Sequence, residues 1–245
     1  MLRLVLLISV INFSYCYGGT IDPLVDDNQY IKYAQDFHCV GKLKGVLTNG
    51  NVYSASAVAI DDHRILTAAH IIENNKFCIL NINNKDYAIY KFVYPKEFDR
   101  KKVGFADIAI GYSLEAFNLS FYPTLYKDKD EVNKVCCMSG YGLTGTFNNG
   151  AIISDDKKRA GSNVIDTAYA DLLVCTASKH SEPNRTSLEF IIASGDSGGG
   201  LFIGDALAGI NSCVLATDNK ADSSYGDESC HTRVSHFIEW IQKNK

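Results

Sequence analysis

The chain has 245 residues, 46% of them hydrophobic and 21% charged, enough for one large or two-lobed globular domain with a buried core. A formal charge of -4, from 24 basic and 28 acidic residues with no basic stripe, excludes an electrostatic case for nucleic acid as a partner. The 14 Tyr, 12 Phe and 19 Gly favour strands and turns.

Met1-Leu2-Arg3 precedes an apolar run over 4–13, one positive charge before about ten apolar residues. This is the pattern of a signal peptide and is too short to cross a bilayer as a helix. Cleavage is expected after Gly18, giving a secreted mature chain of residues 19–245 with no membrane association. Eight cysteines then matter: Cys16, Cys39, Cys78, Cys136, Cys137, Cys175, Cys213 and Cys230. Export permits disulfides, and loss of Cys16 leaves an odd number, so one mature cysteine is expected to stay free or to pair between molecules. No Cys-x-x-Cys pair occurs and no metal site is expected.

Residues 26–37 hold a turn or two of helix. Short apolar or alternating runs at 52–60, 77–82, 87–94, 107–112, 135–139, 172–176, 200–203 and 206–212 predict strands. Asn49-Gly50-Asn51 and Asn148-Asn149-Gly150 mark turns. The run Asp99-Arg100-Lys101-Lys102 reads as a solvated loop. Ser235, Phe237, Ile238, Trp240 and Ile241 suit an amphipathic C-terminal helix over about 235–243, with Ser235 as its cap. Many short strands and one terminal helix make an all-β barrel or sandwich.

Three segments carry possible chemistry: Leu66-Thr67-Ala68-Ala69-His70, Ala106-Asp107-Ile108-Ala109-Ile110 and Gly195-Asp196-Ser197-Gly198-Gly199-Gly200. A serine hydroxyl needs a neighbouring base, for which imidazole is suited near neutral pH. The imidazole needs a buried carboxylate to fix its tautomer, and the tetrahedral intermediate needs backbone N–H donors. Each segment alone is weak. Together, in the order His, Asp, Ser, they match one known arrangement of this triad.

These segments resemble those of the trypsin/chymotrypsin family, whose pattern includes Thr-Ala-Ala-His, Asp-Ile-Ala and Gly-Asp-Ser-Gly-Gly. Gly140-Tyr141-Gly142-Leu143-Thr144 and Thr232-Arg233-Val234-Ser235 with Trp240-Ile241 extend the resemblance over about 39–240. It implies two six-stranded antiparallel β-barrels, at about 36–125 and 126–234, with the active site between them and a C-terminal helix. It carries over His70 as general base, Asp107 as its orienting carboxylate, Ser197 as nucleophile, and the N–H groups of Gly195 and Ser197 as the oxyanion hole. It places Ser212 near Asp107 and the substrate backbone. The implied activity is that of a cofactor-free, secreted, monomeric serine endopeptidase acting on protein or peptide substrates. A family member that binds without cleaving is the alternative; such members usually lose a triad residue, and none is missing here.

The sequence departs from the family in three places. No basic-Ile-Val-Gly-Gly activation site precedes the domain, so the partner of Asp196 is open; the nearest stretch is Gly18-Gly19-Thr20-Ile21. Ile71, Ala55, Ala193 and Ile203 replace usual cysteines, and the family's strand order instead suggests Cys213–Cys230, Cys39–Cys78, and Cys175 with either Cys136 or Cys137. At the expected substrate pocket, Ile191 stands six residues before the nucleophile where an Arg/Lys-specific enzyme has Asp. Val214 and Ser229 fall near wall positions that are glycine in wide-pocket relatives, so a small or medium apolar residue is expected before the scissile bond.

Overall fold

A computed structural model describes residues 19–216 and 218–245; the expected signal segment lies outside the described residues. The described chain opens with a two-residue strand, β1 (Thr20–Ile21), and a short helix, α1 (Asp27–Tyr33). Asp26 caps α1 by accepting the Asn28 N–H at 3.0 Å, and a single 3-10 turn at Ala34–Asp36 continues it. This is the helical stretch expected over 26–37.

Six strands follow: β2 (Val40–Leu47), β3 (Val52–Ala59), β4 (Arg64–Thr67), β5 (Asn75–Ile82), β6 (Lys85–Val93) and β7 (Ala109–Ser113), with helix α2 (Ala69–Ile72) between β4 and β5. They close into a barrel in the order β2-β3-β4-β7-β6-β5. The β5–β6 hairpin turns on Asn83 and Asn84, both at positive φ (50° and 61°), between paired Ile82 and Lys85. Two consecutive left-handed residues give the turn whose twist matches the strands, and asparagine tolerates that backbone better than most side chains.

The rest of the chain builds β8 (Thr124–Leu125), β9 (Val135–Gly140), β10 (Thr144–Thr146), β11 (Gly150–Ile153), β12 (Arg159–Val164), β13 (Thr167–Ala168), β14 (Leu172–Thr176), β15 (Phe190–Ile191), β16 (Gly200–Ile203), β17 (Ala206–Leu215), β18 (Glu228–Arg233) and helix α3 (Val234–Lys243). The main sheet runs β12-β9-β16-β17-β18-β14-β13, with β8 alongside β17. It curls without closing, so the all-β architecture is one closed barrel and one half-barrel. The buried Asn163 amide spans the seam: its Nδ2 donates at 3.0 Å to Thr176 O on β14 and at 3.0 Å to Phe190 O on β15. A small second sheet, β11-β10-β1-β15, inserts β1 between two later strands.

Ser235 does not cap α3. The helix starts one residue earlier, after Arg233 in extended conformation, and Ser235 Oγ donates to Glu131 Oε1 at 2.8 Å. Glu131 is fully buried and also takes two bonds from the Arg233 guanidinium, so its charge is paired and its lone pairs are used.

Successive residues of the central strands point to opposite faces, and here both faces are covered. Ala55, Ala57, Ile65 and Ala109 fill the barrel. Their neighbours Val58, Leu66, Ile108 and Ile110 pack the other way, against Phe202, Ile210 and Phe237 of the second half. A third core, around Tyr30, Met138, Ile165, Phe190 and Leu201, fills the half-barrel. The catalytic candidates hang from the edge of the doubly covered wall.

Candidate active site

Thr67 at the end of β4 pairs with Ala109 at the start of β7. The segments just beyond that pair therefore leave the barrel side by side, which brings His70 to Asp107. The predicted strand over 107–112 starts two residues late because Ala106 turns at φ 48° and Asp107 is used as a side chain, outside the ladder. Asp107 Oδ2 lies 2.7 Å from His70 Nδ1, and Oδ1 accepts the His70 backbone N–H at 2.8 Å. Ser212 Oγ, from a bulged stretch of β17, donates to Oδ2 at 2.6 Å. Burial alone would push this carboxyl up, but the imidazole and these hydrogen bonds hold it below the usual carboxylate range. Thr232 Oγ1 donates to Asp107 O at 2.8 Å and anchors its backbone to β18.

Ser197 reaches the same cleft from the loop before β16. Its Oγ donates to Ser212 O at 3.3 Å. Gly198, at φ 84°, has no room for a side chain, since a Cβ would lie 2.1 Å from Thr67 Oγ1 and 2.2 Å from Ser56 O. The backbone N–H groups of Gly195 and Ser197 donate to no protein acceptor among the described residues. Asp196 is fully enclosed. It accepts the N–H groups of Gly142 (3.0 Å) and Ala193 (3.3 Å), has no cationic partner within ion-pair distance among the described residues, and burial pushes it up to about 7. Arg100, in the run expected to be simply solvated, donates from Nη1 to His70 O at 3.2 Å and to Glu73 Oε2 at 3.0 Å.

The profile of the trypsin family matches residues 33–241. The chain belongs to the trypsin family. This membership makes it a serine endopeptidase hydrolase acting on protein or peptide substrates. Among solved structures, HL collagenase superposes with a TM-score of 0.69 at 16% identity, covering 85% of this chain and 93% of that one. Neuropsin, a serine protease expressed in the limbic system of mouse brain, superposes with a TM-score of 0.67 at 15% identity, covering 86% and 96%. At these identities the likeness is one of fold. A comparison with curated protein sequences finds no match.

The other predicted positions of this trypsin-family chain are only partly brought together. Ser212 joins the His70–Asp107 pair. Ile191 is fully buried in β15, opposite Thr20 of β1. Val214 and Ser229 are cross-strand partners; Ser229 is fully buried and donates its hydroxyl to Cys175 O at 3.1 Å.

None of the seven described cysteines is bonded to another in this structure. Cys136 and Cys175 face each other in the third core with sulfurs 3.8 Å apart, and Cys213 stands opposite Cys230 in register. Alternation along β9 turns Cys137 the other way, to within 2.8 Å of Tyr33 Oη. The Cys39–Cys78 pairing is overturned. β2 and β5 are neighbours, but Cys78 lies opposite Gly45 while Cys39 precedes β2. Six residues of extended chain are roughly 20 Å, far beyond the ~7 Å Cα separation a disulfide tolerates.

Proposed function

We propose that this trypsin-family chain is a secreted endopeptidase that cleaves peptide bonds through an acyl-enzyme, with Ser197, His70 and Asp107 as its triad. The observation that carries this reading is the Asp107 carboxylate, bonded at once to the ring and backbone of His70 and to Ser212, whose carbonyl in turn accepts the Ser197 hydroxyl. In this mechanism the Ser197 hydroxyl, which rests on Ser212 O, turns to donate to His70. Oγ then attacks the substrate carbonyl carbon while its proton passes to His70 Nε2. The carbonyl oxygen gains the negative charge and is held by the Gly195 and Ser197 N–H groups. His70 returns the proton to the departing amine, and water repeats the sequence to release the acid. Asp107 stays ionised and stabilises the imidazolium.

A fluorophosphonate probe tests this directly. Ser197 of the mature protein becomes covalently labelled, and Ser197→Ala removes the label; an unlabelled wild-type Ser197 would refute the mechanism. The apolar run over 4–13 supports secretion, and Ile191 supports a preference other than Arg or Lys. A monomer without membrane attachment is part of this reading; among the described residues no helix is long and apolar enough to cross a membrane.

In an oxidising compartment the two facing thiol pairs form disulfides, each transferring two electrons and releasing two protons to a small-molecule disulfide such as oxidised glutathione. The expected mass loss is two hydrogens per bond. Alkylation after denaturation without reductant should mark Cys39, Cys78 and Cys137 while sparing Cys136, Cys175, Cys213 and Cys230. Labelling of all seven would show that the pairs stay reduced.

A further inference from the structure

We propose that Ser56 is a positioning residue for the oxyanion hole, holding the nucleophile loop from the neighbouring barrel through its side-chain hydroxyl. This role rests on the proposed triad mechanism.

Ser56 is fully buried on β3, 139 positions before Gly195 in the chain. Its Oγ donates to Gly195 O at 2.9 Å and accepts the Tyr141 N–H at 2.9 Å. Its own N–H donates to Ser197 O at 2.9 Å, and its carbonyl accepts Thr67 Oγ1, also at 2.9 Å. One residue thus grips the loop on both sides of Asp196.

The grip acts on direction as well as attachment. A peptide is planar, so fixing its carbonyl fixes where its N–H points. The carbonyl of Ser194 accepts the Leu143 N–H at 3.2 Å, and that of Asp196 accepts the Gly199 N–H at 2.8 Å. Those two bonds set the planes that carry the Gly195 and Ser197 donors. The intervening plane, between Gly195 and Asp196, sets the angle between the two donors. Its carbonyl is held by the Ser56 hydroxyl. Gly195, at φ 91°, lacks a side chain that would restrict its rotation. The N–H of the same plane, that of Asp196, donates to Ala193 O at 3.2 Å. Without the hydroxyl, Gly195 O and Tyr141 N–H would both lose a buried partner, and that longer bond alone would hold the plane that sets the donor angle.

The test uses Ser56→Ala, with Ser56→Gly and Ser56→Thr beside it, all in the mature full-length protein and all counted by active-site titration. The expected result is a 10- to 100-fold fall in kcat for the alanine and glycine variants, with KM nearly unchanged. A peptide aldehyde built on a cleaved sequence forms a tetrahedral adduct, so its affinity should fall by the same factor. The product peptide, which forms no adduct, should bind as before. Ser56→Thr, which keeps the hydroxyl, should recover most of the kcat. Wild-type kcat per titrated site in the alanine or glycine variant would overturn the role. So would equal losses for aldehyde and product, the signature of general loosening. If wild-type Ser197 itself takes no fluorophosphonate, the triad mechanism falls and this role falls with it; a labelled wild type with an indifferent Ser56 refutes this role alone.

Discussion

Replacing Asp107 with asparagine is expected to lower kcat by about four orders of magnitude near neutral pH, with KM little changed; the same replacement in a related triad has an effect of that size. Asp107 offers only acceptors, and both of its oxygens are engaged: Oδ1 by the His70 N–H, Oδ2 by His70 Nδ1 and Ser212 Oγ. An asparagine must present its NH2 in one of those places. Turned towards the ring, it donates to Nδ1 and moves the imidazole proton to Nε2, the atom that has to accept the Ser197 proton. Turned towards the backbone, it faces the His70 N–H donor to donor. Either way the neutral amide no longer stabilises the imidazolium formed during attack. Stopped-flow or steady-state kinetics on titrated sites measure the loss, and a variant with kcat within tenfold of wild type would rule out Asp107 as the orienting group.

The second large effect concerns the amino terminus. A chain that begins at Gly19 and one that retains residues before it should differ in both activity and pH dependence. Thr20 is paired with Gly145 on one side and Ile191 on the other, so Gly19 lies beside Thr144 and Ile192. Asp196 is bonded to Gly142 and Ala193, just further along those same two segments. An ammonium freed at Gly19 is therefore expected to pair with the enclosed carboxyl. Signal cleavage after Gly18 would supply it with no second cut.

The sign follows from Asp196 itself. Burial raises its folded pKa from 3.8 to about 7 when no cation joins it. Between those values the unfolded chain releases the proton while the folded chain keeps it. Stability is thus fully present below about pH 4 and falls as pH rises to about 7, by on the order of 4 kcal/mol. With the ammonium in place the carboxylate is favoured and that fall disappears. Urea midpoints measured on both chains from pH 4 to 8 isolate the term as their difference. The extended chain should also lose about 100- to 1,000-fold in kcat if the displaced loop spoils a donor. Identical pH profiles and equal kcat in the two chains would refute the pairing.

Much of the fold was legible because short apolar runs report burial directly. The predicted strands at 172–176 and 200–203 coincide with β14 and β16. Local pattern failed where a residue answers to a distant one. Nothing around Ser56 distinguishes it from the rest of its strand, because its partner Gly195 is brought close only by the docking of the two halves. Ser235 had the chemistry of a cap, but the buried Glu131 claims its hydroxyl. Cys136 and Cys137 are indistinguishable in sequence, and the pleat of β9 separates them. For Cys39 and Cys78 the neighbouring strands were right and the register was not, which spacing in sequence cannot supply. The site segments were readable by their resemblance to a known family, while the cross-links and the pocket, where this chain departs from that pattern, were the least readable.

The wall formed by β3, β4 and β7 belongs to two cores at once, and this ties the fate of the site to that of the whole molecule. Cutting the chain between its halves would expose Val58, Leu66, Ile108 and Ile110 on one piece and Phe202, Ile210 and Phe237 on the other. Each half would keep its own inner core but lose the one they share, so the halves are expected to melt together. Loss of activity and loss of circular dichroism on heating should then coincide, and a separate earlier loss of activity would show that one half opens alone.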